Sequence, residues 1–244
     1  MARPFDLKRF AYAHRGLWAE DGAPENSMTA FRAARAAGLG IELDLRPSAE
    51  GEVMIFHDTV LGRMTGQDGA FEDMPVNALA DLRLDGTGDR VPRFEDLLAE
   101  WPADLPMLAE MKIDGSTDPV AFAARVAAML NAWNGAAAAM SFSEAAVRAL
   151  PETLMRGQLI APVFHAGEDR FRAVAARALS DGIPYLAVHY TDMTLAAEIT
   201  EDRGTALAVW TLRSEADLAA VRPFSPALIF EHFDPALAVG ATAP

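Results

Sequence analysis

Nine short apolar runs recur along the chain, and stretches with helix-capping residues separate most of them. The runs lack the alternation of polar and apolar residues that a sheet with one solvent-facing side shows, so they favour strands buried on both faces. In chain order the runs are RFAYAH, GIELDL, EVMIFH, PMLAEM, AAAAMSF, RGQLIAPVF, YLAVHY, ALAVWTL and ALIFEH.

Four intervening stretches begin at residues that favour helix N-termini. Strands that alternate with helices of this length predict βαβ units, a parallel sheet and right-handed crossovers. The predicted starts are Asn26 with Ser27, Asp118 before Pro119, Asp192, and Ser214 with Asp217 in a capping-box spacing.

The run EVMIFH cannot be a parallel neighbour of the run before it. Only residues 46–52 separate the two, whereas a parallel crossover needs about a dozen residues or more. We therefore expect an antiparallel hairpin that turns near Glu50 and Gly51, which leaves eight parallel strands. The sequence predicts a single (β/α)8 barrel domain over residues 1–244, with an elaborated insertion at about 47–92. A doubly wound open sheet is the alternative, although no glycine-rich nucleotide loop follows the first strand.

Charge and composition limit the kinds of partner and chemistry that the protein can have. The chain has 35 acidic and 21 basic residues, a net charge of -14 that disfavours nucleic acid as a partner. With no cysteine, thiolate catalysis and cysteine-ligated metal centres are excluded. We expect no integral membrane segment and no secretory signal, and hence a cytoplasmic location. The sequence does not define the oligomeric state.

Three acids fall in strand positions where packing does not require them. In IELDL the apolar residues face one side, so Glu42 and Asp44 share the other side and point into the barrel mouth. Glu110 occupies a similar position in PMLAEMK. Neighbouring carboxylates in a buried site repel each other unless a cation lies between them, and an oxygen-rich site suits Mg²⁺, Ca²⁺ or Mn²⁺.

Cations also lie beside these acids in the sequence. The alternative to a metal site is that the acids pair with Arg15, Arg46 or Lys112. With a metal present, Arg15 and Lys112 would be suited to bind a phosphate group. His14 and His57, at the ends of two runs, can transfer protons near neutral pH.

The other histidines are His165, His189 and His232, and for these we favour local capping, loop or pocket-wall roles.

In order and spacing, the segments AHRG, PENS, IELDLRPSAEGEVMIFHD, TVLGRMTG, LAEMK and VWTL resemble the motifs of the glycerophosphodiester phosphodiesterases. The resemblance implies a TIM barrel with an insertion after the second strand. It also implies metal-dependent hydrolysis of small glycerophosphodiesters to glycerol 3-phosphate and an alcohol, with one divalent cation, Mg²⁺ or Ca²⁺, and Mn²⁺ as a further candidate.

The resemblance assigns roles to ten residues of this chain. They are the general acid/base pair His14 and His57, the metal ligands Glu42, Asp44 and Glu110, the phosphate contacts Arg15 and Lys112, the supporting residues Glu25 and Asn26, and the pocket residue Trp210. The nucleophile stays open between a neighbouring glycerol hydroxyl, which gives a cyclic phosphate, and a water molecule.

The chain departs from the family pattern near its end, where FEHFDP replaces Thr-Asp-x-Pro, and we expect Glu231, His232 or Asp234 to influence the headgroup that fits. Two other functions remain as alternatives. One is release of a headgroup from a lysophospholipid, for which the segment from Phe71 to Leu84 could supply an apolar surface. The other is a phosphate-ligand binding barrel without catalysis.

Overall fold

Eight parallel strands close into a barrel in this computed structural model, which describes residues 5–242. The strands are β1 Ala11–His14, β2 Gly40–Pro47, β3 Val53–Ile55, β4 Met107–Met111, β5 Ala137–Ser141, β6 Met155–Leu159, β7 Tyr185–His189, β8 Ala206–Leu212 and β9 Ala227–Phe230. The eight parallel strands follow the order β1-β9-β8-β7-β6-β5-β4-β2, and a β1–β2 pairing closes the ring. The predicted (β/α)8 barrel is confirmed.

The strand outside the ring, β3, forms the predicted hairpin with β2. β3 pairs with β2 in antiparallel orientation, with Leu45 opposite Ile55. Gly51 lies in the turn between them with a φ of 79°, a conformation that glycine adopts without steric cost. The hairpin extends β2 beyond the rim and brings the chain back to the barrel mouth at His57.

Helices cover the outside of the barrel, and their starts follow local capping chemistry. They are α1 Met28–Ala36, α2 Gly62–Thr65, α3 Val76–Asp81, α4 Phe94–Glu100, α5 Pro119–Trp133, α6 Glu144–Ala149, α7 Val163–Ala166, α8 Glu168–Ser180, α9 Met193–Thr200, α10 Glu215–Val221 and α11 Pro235–Thr242.

Ser27, Asp118 and Ser214 accept backbone N–H groups at the starts of α1, α5 and α10, as expected. Asp192 occupies the N-cap position of α9 as expected, but its side chain makes no capping hydrogen bond and accepts the N–H of Val163.

Alternation along the strands separates two hydrophobic layers. Ile41, Leu43 and Leu45 pack outward against the helices. Tyr12 and Tyr185 belong to the core inside the barrel, with small residues from other strands. Because the outward residues of β2 are all apolar, its alternate positions face the barrel interior, where Glu42 and Asp44 lie.

The segment between β3 and α4 forms a third, small core against the hairpin. Phe71, Leu79 and Leu84 are buried in it, each at most 1% exposed. The segment thus buries its largest side chains in its own core instead of presenting them as the apolar surface considered for a lysophospholipid. Over the described part of the chain, we find no helix with the length and apolarity of a membrane span.

Candidate active site at the barrel mouth

A cavity of about 240 Å³ opens at the carboxyl ends of the strands. His14, His57, Arg15, Lys112 and Trp210 are among its lining residues. A groove of about 440 Å³ lies between the hairpin and α5, with Ser48, Thr117 and Arg125 among its lining residues. The side chains that the sequence analysis predicted to act in catalysis lie around the smaller cavity.

The three predicted acids meet at this cavity because of strand register. Asp44 on β2 is directly opposite Glu110 on β4, and Glu42 is opposite His14 on β1. One oxygen from each of Glu42, Asp44 and Glu110 lies within 4.8 Å of the others. All three side chains are buried, at 2%, 1% and 7% exposure respectively.

These carboxylates have the chemistry of a divalent-cation site. Asp44 Oδ1 and Glu110 Oε1 are buried, and both lie within reach of the Lys112 ammonium group. Burial, with repulsion from Asp44, raises the pKa of Glu42 well above its usual range, and burial also raises the pKa of Glu110. A bound cation would relieve that repulsion, so an all-oxygen set of this kind fits a hard divalent metal ion.

Two cations lie against the same acids. Lys112 Nζ lies 3.0 Å from Asp44 Oδ1 and 2.6 Å from Glu110 Oε1. Arg15 Nε lies 3.1 Å from Asp44 Oδ2. Burial acts to raise the pKa of Asp44, but Lys112 and Arg15 outweigh it, so this pKa falls well below its usual range.

The ion-pair alternative is thus present for Arg15 and Lys112. Arg46 instead pairs with Glu72 and Asp114. Both cations of the site line the cavity, so the pairing with acids does not remove them from reach of a ligand.

His14 has a carboxylate partner that the sequence analysis did not identify. Its Nδ1 lies 2.6 Å from Oε2 of Glu231. Burial acts to raise the pKa of Glu231, but the hydrogen bond with His14 and the charge of Arg213 lower it to about 2. An ionised carboxylate only accepts hydrogen bonds, so His14 Nδ1 donates the proton. The other nitrogen, Nε2, lies 3.9 Å from Glu42 Oε2 at the acid cluster.

His57 is held in a similar way on the opposite side. Its Nδ1 donates to Asp58 Oδ1 over 2.7 Å. Arg63 on α2 binds Asp58 through two hydrogen bonds and Glu25 through two more, and Glu25 accepts a further bond from Arg15. Burial lowers the pKa of both His14 and His57, which favours the neutral imidazole.

Glu25 and Asn26 lie beside the cluster, as the sequence motif indicated. Asn26 donates from Nδ2 to Asp44 Oδ2 over 2.8 Å and accepts the Asp44 backbone N–H at its Oδ1. Its φ of 55° places it in the left-handed region, where Asn is tolerated better than most residues. The side chain thus fixes one oxygen of Asp44.

An aromatic wall forms the remaining side of the cavity. The Trp210 ring lies 5.8 Å from Phe142 and 5.4 Å from His189, both in edge-to-face contact. Trp210 therefore lines the pocket, and His189 joins it as a wall residue. A pocket-wall role was among those expected for His189, whereas Phe142 was missed, although it directly follows β5 at the carboxyl edge.

The barrel and its mouth define a class of protein: a TIM barrel whose site combines two histidines, clustered acids and two cations. A family model described as the glycerophosphoryl diester phosphodiesterase family matches residues 14–233, so the chain belongs to this family.

Among curated proteins, the chain is similar to glycerophosphodiester phosphodiesterase 1 of Bos taurus, with 34% identity over 99 residues, 37% of this chain and 29% of that protein. The chain spans less than half of the length of the first curated relatives that it matches.

Solved structures share the fold. A glycerophosphodiester phosphodiesterase from Thermotoga maritima has a TM-score of 0.76 at 22% identity, over 95% of this chain and 96% of that one. A phosphodiesterase from Oleispira antarctica, solved with the product sn-glycerol-3-phosphate, has a TM-score of 0.75 at 18% identity, over 96% of both chains. At these identities the likeness establishes the barrel fold alone.

Proposed function

We propose that this protein hydrolyses glycerophosphodiesters to glycerol 3-phosphate and an alcohol, with His14 and His57 as the general acid/base pair. The observation that carries this proposal is the convergence of both histidines, three acids and two cations around one cavity. Family membership supports the reaction type, and the Oleispira relative, solved with sn-glycerol-3-phosphate, supports the product.

In this proposal the phosphate lies against Arg15 and Lys112. Their charges stabilise the extra negative charge that develops on the phosphorus oxygens in the transition state. Glu42, Asp44 and Glu110 would hold one divalent cation, Mg²⁺ or Ca²⁺, which supplies Lewis-acid stabilisation of the same charge when bound. Asn26 and Glu25 keep Asp44 and Arg15 in position.

The histidines divide the proton transfers. Both donate from Nδ1 to a carboxylate, so Nε2 is the nitrogen left to react. One neutral imidazole takes the proton of the nucleophile, and the other, when protonated, gives a proton to the departing alkoxide oxygen as the P–O bond breaks. The nucleophile is either the adjacent glycerol hydroxyl or water. Hydrolysis in ¹⁸O-labelled water, with a search for a cyclic phosphate, separates these two routes.

A coupled assay for glycerol 3-phosphate tests the proposal. The protein is treated with EDTA, supplied with Mg²⁺, Ca²⁺ or Mn²⁺, and given glycerophosphocholine or glycerophosphoethanolamine. We expect metal-dependent release that His14→Ala and Glu42→Ala abolish. Glu144→Gln is the matched control, because Glu144 also binds arginines but lies on α6 outside the site.

If no glycerol 3-phosphate is released, a metal-binding titration separates two explanations. Metal binding without release would point to a different substrate or to a non-catalytic phosphate-binding barrel. Absence of both metal binding and release would contradict the proposed site itself.

One observation favours a lysophospholipid as a second candidate substrate. The aromatic wall continues outward from Trp210 through His189 to Phe164, whose ring lies 5.2 Å from His189. Phe164 is 64% exposed and Phe142 43%, so apolar surface leads from the cavity to solvent. A lysophospholipid acyl chain could lie along it.

Phe164→Ser separates the two substrates. If the wall binds an acyl chain, this variant should lose activity on a lysophospholipid and keep activity on glycerophosphocholine. Val120→Ser, which alters an apolar residue of similar exposure on α5, is the control. Equal effects on both substrates would remove the reason for the second candidate.

A further inference from the structure

Three residues from three adjacent strand ends form a row beside the cavity. Ala13 on β1 is opposite Phe230 on β9, so the next residues, His14 and Glu231, are neighbours. Leu212 on β8 is opposite Phe230, so Arg213 follows on the other side of Glu231. The row therefore results from register in the closed barrel.

Within the row, both oxygens of the carboxylate are occupied. Glu231 Oε1 accepts from Arg213 Nε over 2.7 Å. Oε2 accepts from His14 Nδ1 over 2.6 Å and from Trp18 Nε1 over 3.3 Å. Glu231 is only 5% exposed, whereas the Arg213 side chain is 55% exposed. Arg213 thus stabilises a buried carboxylate from the solvent side, and Trp18 adds a second donor beside His14.

We infer that Glu231 is a positioning residue for His14, held by Arg213, and that it keeps the proton of the neutral imidazole on Nδ1 so that Nε2 faces the substrate. The inference rests on the proposed function for its consequence in catalysis. It concerns the segment FEHFDP, where this chain departs from the Thr-Asp-x-Pro pattern, and it gives Glu231 a task other than headgroup choice.

The tautomer matters because a histidine base needs an unprotonated Nε2. Replacing Glu231 by Leu removes the acceptor of three donors. Arg213 is more than half exposed, so it can turn to solvent. The Nδ1–H group of His14 would be left without its acceptor, so we expect the neutral imidazole to carry its proton on Nε2 instead. A base with the wrong tautomer is misaligned for its proton transfer.

The test combines kinetics with spectroscopy on the full chain. Protein labelled with ¹⁵N-histidine gives distinct two-bond ¹H–¹⁵N patterns for the two neutral tautomers, and His14→Gln assigns the signal. We expect the Nδ1–H tautomer for His14 in the wild type and a shift toward Nε2–H in Glu231→Leu. With glycerophosphocholine and metal, kcat should fall by about 10²-fold or more, while KM changes by a few-fold at most.

Glu231→Asp and Glu144→Gln complete the set. Glu231→Asp retains the charge and should retain the Nδ1–H tautomer, with a smaller loss of kcat. Glu144→Gln should leave both readouts unchanged, because Glu144 binds arginines away from the site. An unchanged His14 tautomer in Glu231→Leu, whether or not kcat falls, would overturn the inference.

Folding failure and functional failure remain distinguishable. If Glu231→Leu does not fold, Arg213→Gln is measured instead, since Arg213 is exposed. It should weaken the hold on Glu231, shift the His14 signal and lower kcat several-fold, and no change in either would contradict the inference. If the wild type hydrolyses no glycerophosphodiester, the proposed function fails, but the tautomer measurement still decides the role of Glu231.

Discussion

Removing the ammonium group of Lys112 should destabilise the protein in the absence of metal. Lys112 is 13% exposed and lies 3.0 Å and 2.6 Å from the oxygens of Asp44 and Glu110. At an effective dielectric constant of about 20, unit charges at such separations attract by about 5–6 kcal/mol each. The desolvation of the ammonium group offsets several kcal/mol, so Lys112→Met should cost about 3–5 kcal/mol by leaving Glu110 without its cation and Asp44 with Arg15 alone.

The assay is thermal or urea unfolding in EDTA. For a chain of this size a loss of about 3 kcal/mol lowers Tm by about 6 °C or more. Arg125→Met is the matched control, because Arg125 forms an ion pair with Glu52 in which both side chains are nearly half exposed. Such exposed pairs contribute about 0–1 kcal/mol, so the control should be almost neutral.

A divalent cation should then reverse part of the loss. Lys112 and the metal ion compete for the same carboxylate oxygens, so the metal should stabilise Lys112→Met more than the wild type. At 100 times the Kd, binding adds about 2.7 kcal/mol. The reasoning is refuted if Lys112→Met loses no more stability than Arg125→Met, or if metal stabilises the variant less than the wild type.

Three further outcomes are expected. His57→Gln should lower kcat by about 10²–10⁴-fold, with little effect on Tm because its side chain is 32% exposed; a normal kcat in the coupled assay would exclude it as an acid or base. The pKa of Glu231 is lowered in the folded state to about 2, so its stabilising effect is present above about pH 4 and is lost as pH falls toward 2. The stability difference between wild type and Glu231→Gln should therefore narrow over that window in urea titrations, and a constant difference would contradict the role of the charge. Gly157→Ala should lower the free energy of unfolding by about 2 kcal/mol or more, because a Cβ there would lie 2.1 Å from the buried Tyr185 ring. Gly240→Ala, with open space around it, is the control. Equal unfolding midpoints for the two variants would show that the barrel core can relax.

The fold was predictable because its signals are local. The doubly buried runs, the capping residues between them and the short spacing before EVMIFH each depend on a few neighbouring residues. Together they predicted the nine strands and the antiparallel hairpin, which the structure confirms. The start of α9 at Asp192 was also correct, but the capping hydrogen bond is absent, and the carboxylate accepts the Val163 N–H in a tertiary contact.

The sequence by itself also placed Glu42 and Asp44 on the inner face of one strand, since alternation is a property of the strand alone. Which cation meets which acid depended on tertiary structure. Arg46 shares the strand with these acids, yet it pairs with Glu72 of the insertion and Asp114.

The partners of the histidines divide in the same way. Asp58 follows His57 directly, so the pair is readable from the sequence. Glu231 and His14 are 217 residues apart, and only closure of the barrel through the β9–β1 pairing brings them together. Local periodicity therefore determined the strands and the faces of their side chains, whereas ring closure and register decided which side chains touch, because those contacts join residues that no local pattern relates.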